Sequence, residues 1–144
     1  MKVLFLAIAL TFAIGSAADF TEHCNVSGSY PSIPEGTCAL QGYLYDLAYD
    51  MPAPLGNPVN KDAVLSFHLM DANKQLLTTT YKGGTTARMF YYIESAKGSD
   101  ALGTIMTATL ALSAKNNHTL VQVIYTDDPD NNAEFLISLG LLPD

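Results

Sequence analysis

The sequence predicts a mainly-β domain that carries one long helix. Two observations lead there. From Cys38 to Leu141 most of the chain falls into short runs rich in Tyr, Leu, Val, Ile and Thr, separated by turn residues. One stretch, Asp100–Asn117, spaces its apolar residues at helical intervals instead.

The chain opens on MKVLFLAIALTFAIGSAAD. Lys2 precedes an apolar run from Val3 to Ile14. Gly15 with Ala17, or Ser16 with Ala18, stand where a signal peptidase cuts. This predicts a secretory signal peptide over residues 1–17 and a single globular domain over 18–144. No later segment approaches about 18 consecutive apolar residues, so no membrane span is expected in the mature chain, which is placed in the periplasm or outside the cell. The sequence holds 7 Lys and Arg against 14 Asp and Glu. Loss of Lys2 with the leader leaves six against fourteen. Such an acidic chain, with no basic cluster, repels phosphate backbones, so nucleic acid is excluded as a partner.

Cys24 and Cys38 are the only cysteines. In an exported chain an isolated pair predicts a disulfide. The loop between them contains SGSYPSIPEG, which the bridge would pin onto the first strand. Closing a loop of about 15 residues is worth roughly 3 kcal/mol in the chain-entropy model. A metal site needs more ligands than two Cys and a scattered His23, so none is expected.

CALQGYLYDLAYD, Cys38–Asp50, reads as one long strand, bulged at Gly42. MPAPLGNPVN is a loop. In AVLSFHLM, Ala63–Met70, Leu65, Phe67 and Leu69 share one face and Val64, Ser66 and His68 the other. DANK is a turn, and QLLTTTY is expected to pair back on 63–70 as a hairpin. KGGTT is a further turn, and ARMFYYIES a fourth strand-like run. Ser99 and Asp100 suit a helix N-cap and first turn. Leu102, Ile105, Met106, Leu110 and Leu112 then follow, and Asn116–Asn117 are expected to stop the helix. Apolar residues cover more than half its circumference. It is expected to be buried on more than one side, inside the monomer or against a partner subunit. TLVQVIYT and EFLISLGL are the closing strands.

A helix between the third and fourth main strands is the order of an OB-fold, a small Greek-key antiparallel barrel. An α+β antiparallel sheet with the helix packed on one face fits the same string.

The segment ALGTIMTATLALSAKNNHTLVQVIYTDDPDNNAEFLISLGL resembles the C-terminal half of small bacterial secreted proteins similar to the B subunits of subtilase-cytotoxin-type AB5 toxins. Ile105–Ala114 and Thr119–Tyr125 follow that family's helix-to-strand rhythm, and Leu136–Leu139 match its ending. The resemblance covers about 40 of 144 residues. It implies an OB-fold and pentameric assembly, and it suggests glycan binding. Those proteins often carry a cysteine before the last strand, which this chain lacks. No glycan-contacting residue of the family transfers.

No catalytic motif is present, so the chain is not expected to be an enzyme, and no cofactor is implied. His23, His68 and His118 are the only histidines. Ser66 and His68 share a strand face, but a hydrogen-bonded boundary histidine is the plainer reading. Aromatics are the better lead. Tyr43, Tyr45 and Tyr49 share one parity, and Tyr91 and Tyr92 flank Phe90 near Arg88. Most are expected to complete the core or cover the barrel wall. If a binding face exists, Tyr43, Tyr45, Arg88 and Tyr92 would form it. Sequons occur at Asn25 and Asn117.

In YTDDPDNNAEF, Asp128, Asp130 and Asn132 match the first positions of an EF-hand loop. Ala133 replaces its required Gly, and Leu139 its required Glu. The stretch reads as the hairpin loop between the last two strands. The expected function is a secreted or periplasmic non-catalytic binding module, such as a toxin B-subunit-like protein for a glycan or protein receptor that forms a homo-oligomer. The alternative is a secreted structural or interaction protein, such as an envelope component or an enzyme inhibitor.

Overall fold

The computed structural model describes residues 17–28, 32–50, 63–94, 101–128 and 133–143. Its elements are β1 (His23–Cys24), β2 (Cys38–Leu44), β3 (Ala48–Asp50), β4 (Ala63–Met70), β5 (Thr78–Tyr81), β6 (Gly84–Ala87), β7 (Met89–Glu94), α1 (Ala101–Asn117), β8 (Val121–Asp128) and β9 (Ala133–Leu141). The main sheet runs β1-β2-β8-β9-β7-β4-β3, and a further β2–β4 pairing closes its middle five strands into a barrel. All pairings are antiparallel except β7 with β9. This is the OB-fold arrangement, and the open-sheet alternative is set aside by the closure.

The core follows from alternation. Leu65, Phe67 and Leu69 point inward and are fully buried, while Ser66 and His68 face the boundary. Phe90, Val121, Val123, Tyr125 and Leu136 meet them from the neighbouring strands. Phe67 and Phe90 stack with centroids 5.6 Å apart, and Phe90 meets Tyr125 edge-on at 5.1 Å.

The expected long strand from Cys38 is two strands. No bulge lies at Gly42. β2 pairs with β8 from Cys38 to Gly42, then passes to β4 at Tyr43 and Leu44. Gly42 permits that crossing: a Cβ there would sit 3.0 Å from the Leu69 Cβ and 3.2 Å from the Met70 carbonyl oxygen. Gly42→Ala is therefore expected to lower stability by about 1–2 kcal/mol through overpacking, read from the urea midpoint. A register shift lies instead between β8 and β9: Ile124 faces Ser138 and Tyr125 faces Leu136, so Ile137 is the extra residue, in β9.

The 75–81 run does not pair along 63–70. It touches β4 only through the Met70–Leu76 bridge and the Leu77 N–H to Leu69 carbonyl bond. β5 pairs with β6 instead. Lys82 (φ 48°) and Gly83 (φ 79°) form the two-residue turn, whose double positive φ matches the strand twist. Ala87 belongs to β6, and β7 begins at Met89.

The helix N-cap expected at Ser99, the proline loop over 51–60 and the 129–132 connection lie outside the described residues. β8 and β9 pair up to Asp128 opposite Ala133, as a hairpin requires. The helix runs through Asn117, and His118 (φ 52°) takes the left-handed position expected of the asparagines. Of the two placements expected for the helix, full enclosure inside the monomer is not observed. Ala111 and Ala114 enter the core, but Met106, Leu110 and Leu112 are exposed. Among the described residues no helix is long and apolar enough to cross a membrane.

The Cys24–Cys38 disulfide is formed, across the β1–β2 pair. Asn25 is buried, and its amide donates to the Ile33 carbonyl at 2.7 Å, so this sequon is sealed in the folded chain. Asn117 stands exposed in the last helical turn.

Candidate functional site

The barrel's ends differ. α1 covers the end where β8 begins. At the other end lie the first residues of β2, the last of β8, the starts of β7 and β9, and the β5–β6 hairpin. A strap from Asp19 to Cys24 runs along β2 toward this open end. The Asp19 N–H donates to Gln41 Oε1 at 3.0 Å, and the Phe20 ring lies 6.1 Å from Tyr43. The Asp19 carboxylate meets His23 Nε2 at 2.7 Å and accepts from the Thr21 N–H at 2.9 Å. The His23 hydrogen bond, then that of Thr21, hold Asp19 down at about 2. β1 and the disulfide complete the strap.

Glu22 projects from this strap into a buried polar cluster. Arg88 Nη1 donates to Glu22 Oε1 and to the Tyr125 hydroxyl, and that hydroxyl donates to the same Glu22 oxygen. Glu134 Oε1 lies 3.6 Å from Nη1, and the guanidinium sits 5.6 Å from the Tyr125 ring centroid. Arg88 is only 8% exposed, and its Nε is buried with no hydrogen-bond partner.

Burial alone would raise the Glu22 pKa. The hydrogen bonds from Arg88 and Tyr125, with the guanidinium's charge, outweigh burial and hold it below its ordinary 4.5. Burial would likewise lower Arg88. The Glu22 hydrogen bond and the surrounding negative charge outweigh it and raise Arg88 further. Tyr125 is pushed strongly upward by burial and by its bond to Glu22, so the phenol stays protonated as a donor.

The cluster lines a cleft of about 390 Å³ between the barrel mouth and the hairpin. Thr79, Thr80, Tyr81 and Lys82 form the hairpin side, and the disulfide forms part of the wall. Ala133 and Glu134, the first residues of β9, border the cleft as well. Glu22 clusters with Cys24 and Cys38, but both sulfurs are spent in the disulfide, so the group is no metal centre. A more open hollow of about 280 Å³ over Gln41 and Gln122 has its charged pair, Asp19 and His23, closed on itself.

The four tyrosine and arginine positions singled out in the sequence do not converge. Arg88 lies in the cleft, buried rather than presented at the surface. Tyr43 stacks flat on His118, with centroids 4.5 Å apart, beside the helix C-terminus. Tyr45 is 51% exposed, next to Asp46. Tyr92 packs against the core. His68 is the hydrogen-bonded boundary residue expected: Asp46 accepts from its N–H at 2.7 Å and meets its Nδ1 at 2.9 Å, and no hydrogen bond joins it to Ser66. Sequence reasoning missed Glu22, Tyr81, Tyr125 and Glu134. A Glu inside the apolar run AEFLISL was the available signal, because a strand buries a carboxylate only beside a cation or several donors.

Those residues offer fixed donors and acceptors side by side, and no nucleophile–base pair stands among them. No protein-family model and no curated protein matches the chain, so the geometry alone defines the site.

Proposed function

We propose that the chain is a non-catalytic, exported binding module and that its ligand is a carbohydrate held in the cleft at the barrel's open end. The observation that carries this reading is the Arg88–Glu22–Tyr125–Glu134 cluster beside the Thr79 and Thr80 hydroxyls. A sugar hydroxyl both donates and accepts, which suits interleaved carboxylates, phenol and guanidinium. The two carboxylates balance Arg88 and Lys82. The rim therefore favours a neutral sugar over an anionic one. Tyr81 adds an aromatic face at the hairpin tip. The disulfide and the leader-like N-terminus support an extracytoplasmic setting.

A glycan array with the purified protein tests this. Neutral glycans are expected to bind, and Tyr81→Ala is expected to weaken them about tenfold. A blank array across neutral and charged glycans would sink the reading.

A specific observation favours a second property, self-association. Met106, Leu110 and Leu112 on α1, and Phe135, Ile137 and Leu141 on β9, expose apolar surface on an acidic chain. We infer a homo-oligomer, or the interaction surface of an envelope component or inhibitor. Light scattering on a size-exclusion column should show an oligomer that Met106→Glu with Leu110→Glu reduces to monomer. A wild-type monomer at high concentration would count against the oligomer.

A further inference from the structure

We propose that the ligand carries an apolar group beside its polyol head, and that this group occupies a second cavity behind Glu22 and Arg88. The inference rests on the carbohydrate reading and deepens it. The second cavity holds about 270 Å³, and Glu22 and Arg88 line it as they line the polar cleft. These two side chains are thus a shared partition between adjoining spaces. On the far side the walls are Phe20, Leu40, Leu76 and Leu77, with Thr78 the remaining polar side chain. The Phe20 ring and the Leu76 and Leu77 side chains give an alkyl or aryl group a surface that a polyol head cannot use. An alkyl or aryl aglycone fits it.

The partition is built to yield on one side. Arg88 is anchored in the barrel wall, buried between Tyr125 and Glu134. Glu22 stands on the surface strap, with its side chain 38% exposed, and Arg88 and Tyr125 hold it by polar contacts. A sugar hydroxyl that inserts between Glu22 and the Arg88–Tyr125 pair accepts from the guanidinium and donates to the Glu22 carboxylate, so Glu22 shifts outward while still bonding the sugar, and the two spaces become one groove. Arg88 Nε, which lacks an acceptor, then gains one when the side chain resettles against the ligand.

The test is calorimetric titration of the full mature chain with paired methyl and n-octyl glycosides of glucose, galactose and mannose, below the micelle concentration. Each methylene moved from water into an apolar site is worth about fourfold in affinity. Burial of about two to three of the octyl chain's additional methylenes is therefore expected to make the octyl member of a binding pair bind about 30-fold more tightly than the methyl member. Leu76→Ser and Phe20→Ser change an exposed and a strap residue, so the barrel core is untouched. Each should cut the octyl advantage about tenfold and leave methyl-glycoside affinity unchanged. Equal affinities within a binding pair would overturn the apolar subsite and leave the carbohydrate reading standing. An octyl advantage that survives both substitutions would place the chain elsewhere and also overturn it. Failure of every methyl and octyl glycoside to bind would remove both readings together.

Discussion

Arg88→Met is expected to destabilise the fold by about 3–5 kcal/mol, the range for removing one partner of a buried ion pair. The reason is geometric. Arg88 is the cation beside two carboxylates, and Glu134 is as deeply buried as Arg88 itself. Methionine fills the volume but removes the cation that lies 3.6 Å from the buried Glu134 carboxylate. Most of the effect therefore comes from Glu134, because Glu22 reaches solvent and can rehydrate. Urea unfolding at neutral pH measures the loss. A second substitution, Glu134→Gln, should return much of it. A loss under about 1 kcal/mol would show that the cluster is not a buried charge network. The pH dependence carries the same signature. Glu22 is depressed in the folded state, so its stabilising contribution is present above its ordinary 4.5 and is lost as pH falls through its lowered value. The Arg88→Met variant should therefore show a shallower acid-side slope than the wild type.

Removing the disulfide is the second large effect. Cys24→Ser with Cys38→Ser should cost about 3 kcal/mol, since the closed loop spans 14 positions in sequence. The structure adds where the loss is felt. Cys24 anchors the strap that carries Glu22 to Arg88. The variant should therefore also lose the Arg88→Met effect in part, and the two substitutions should be less than additive. Dithiothreitol should lower the wild-type urea midpoint and leave the variant's unchanged. Equal midpoints for variant and oxidised wild type would refute the prediction.

Much of the barrel was legible because its signals are local. Leu65, Phe67 and Leu69 announce an inward face by period alone, and Lys82–Gly83 announces a tight turn. The helix was legible from its spacing, and its place between the third and fourth barrel strands pointed to the fold. What was hidden depends on distant partners. Nothing near QLLTTTY says whether it pairs backward with β4 or forward with β6. The change of partner at Gly42 is a property of barrel closure, not of the strand. Arg88 sits among tyrosines and looked like a surface binder. Its partners Glu22 and Tyr125 lie 66 and 37 positions away, so its burial left no local trace. The place of the helix's second face stayed open between the monomer's interior and a partner for a related reason: apolar spacing marks a helix, but not which side is covered, and Met106, Leu110 and Leu112 are exposed.

The parallel seam between β7 and β9 has a consequence for the order of folding. β9 lies between β7 and β8, yet it is the last strand to be synthesised. A chain interrupted before Ala133 leaves two raw strand edges, one on β7 and one on β8, facing a gap one strand wide. Such edges pair with whatever extended chain is nearest, copies of the same chain included. The nascent barrel is therefore a half-pipe until its final nine-residue stave arrives, and any delay at that step is a window for aggregation rather than for partial function.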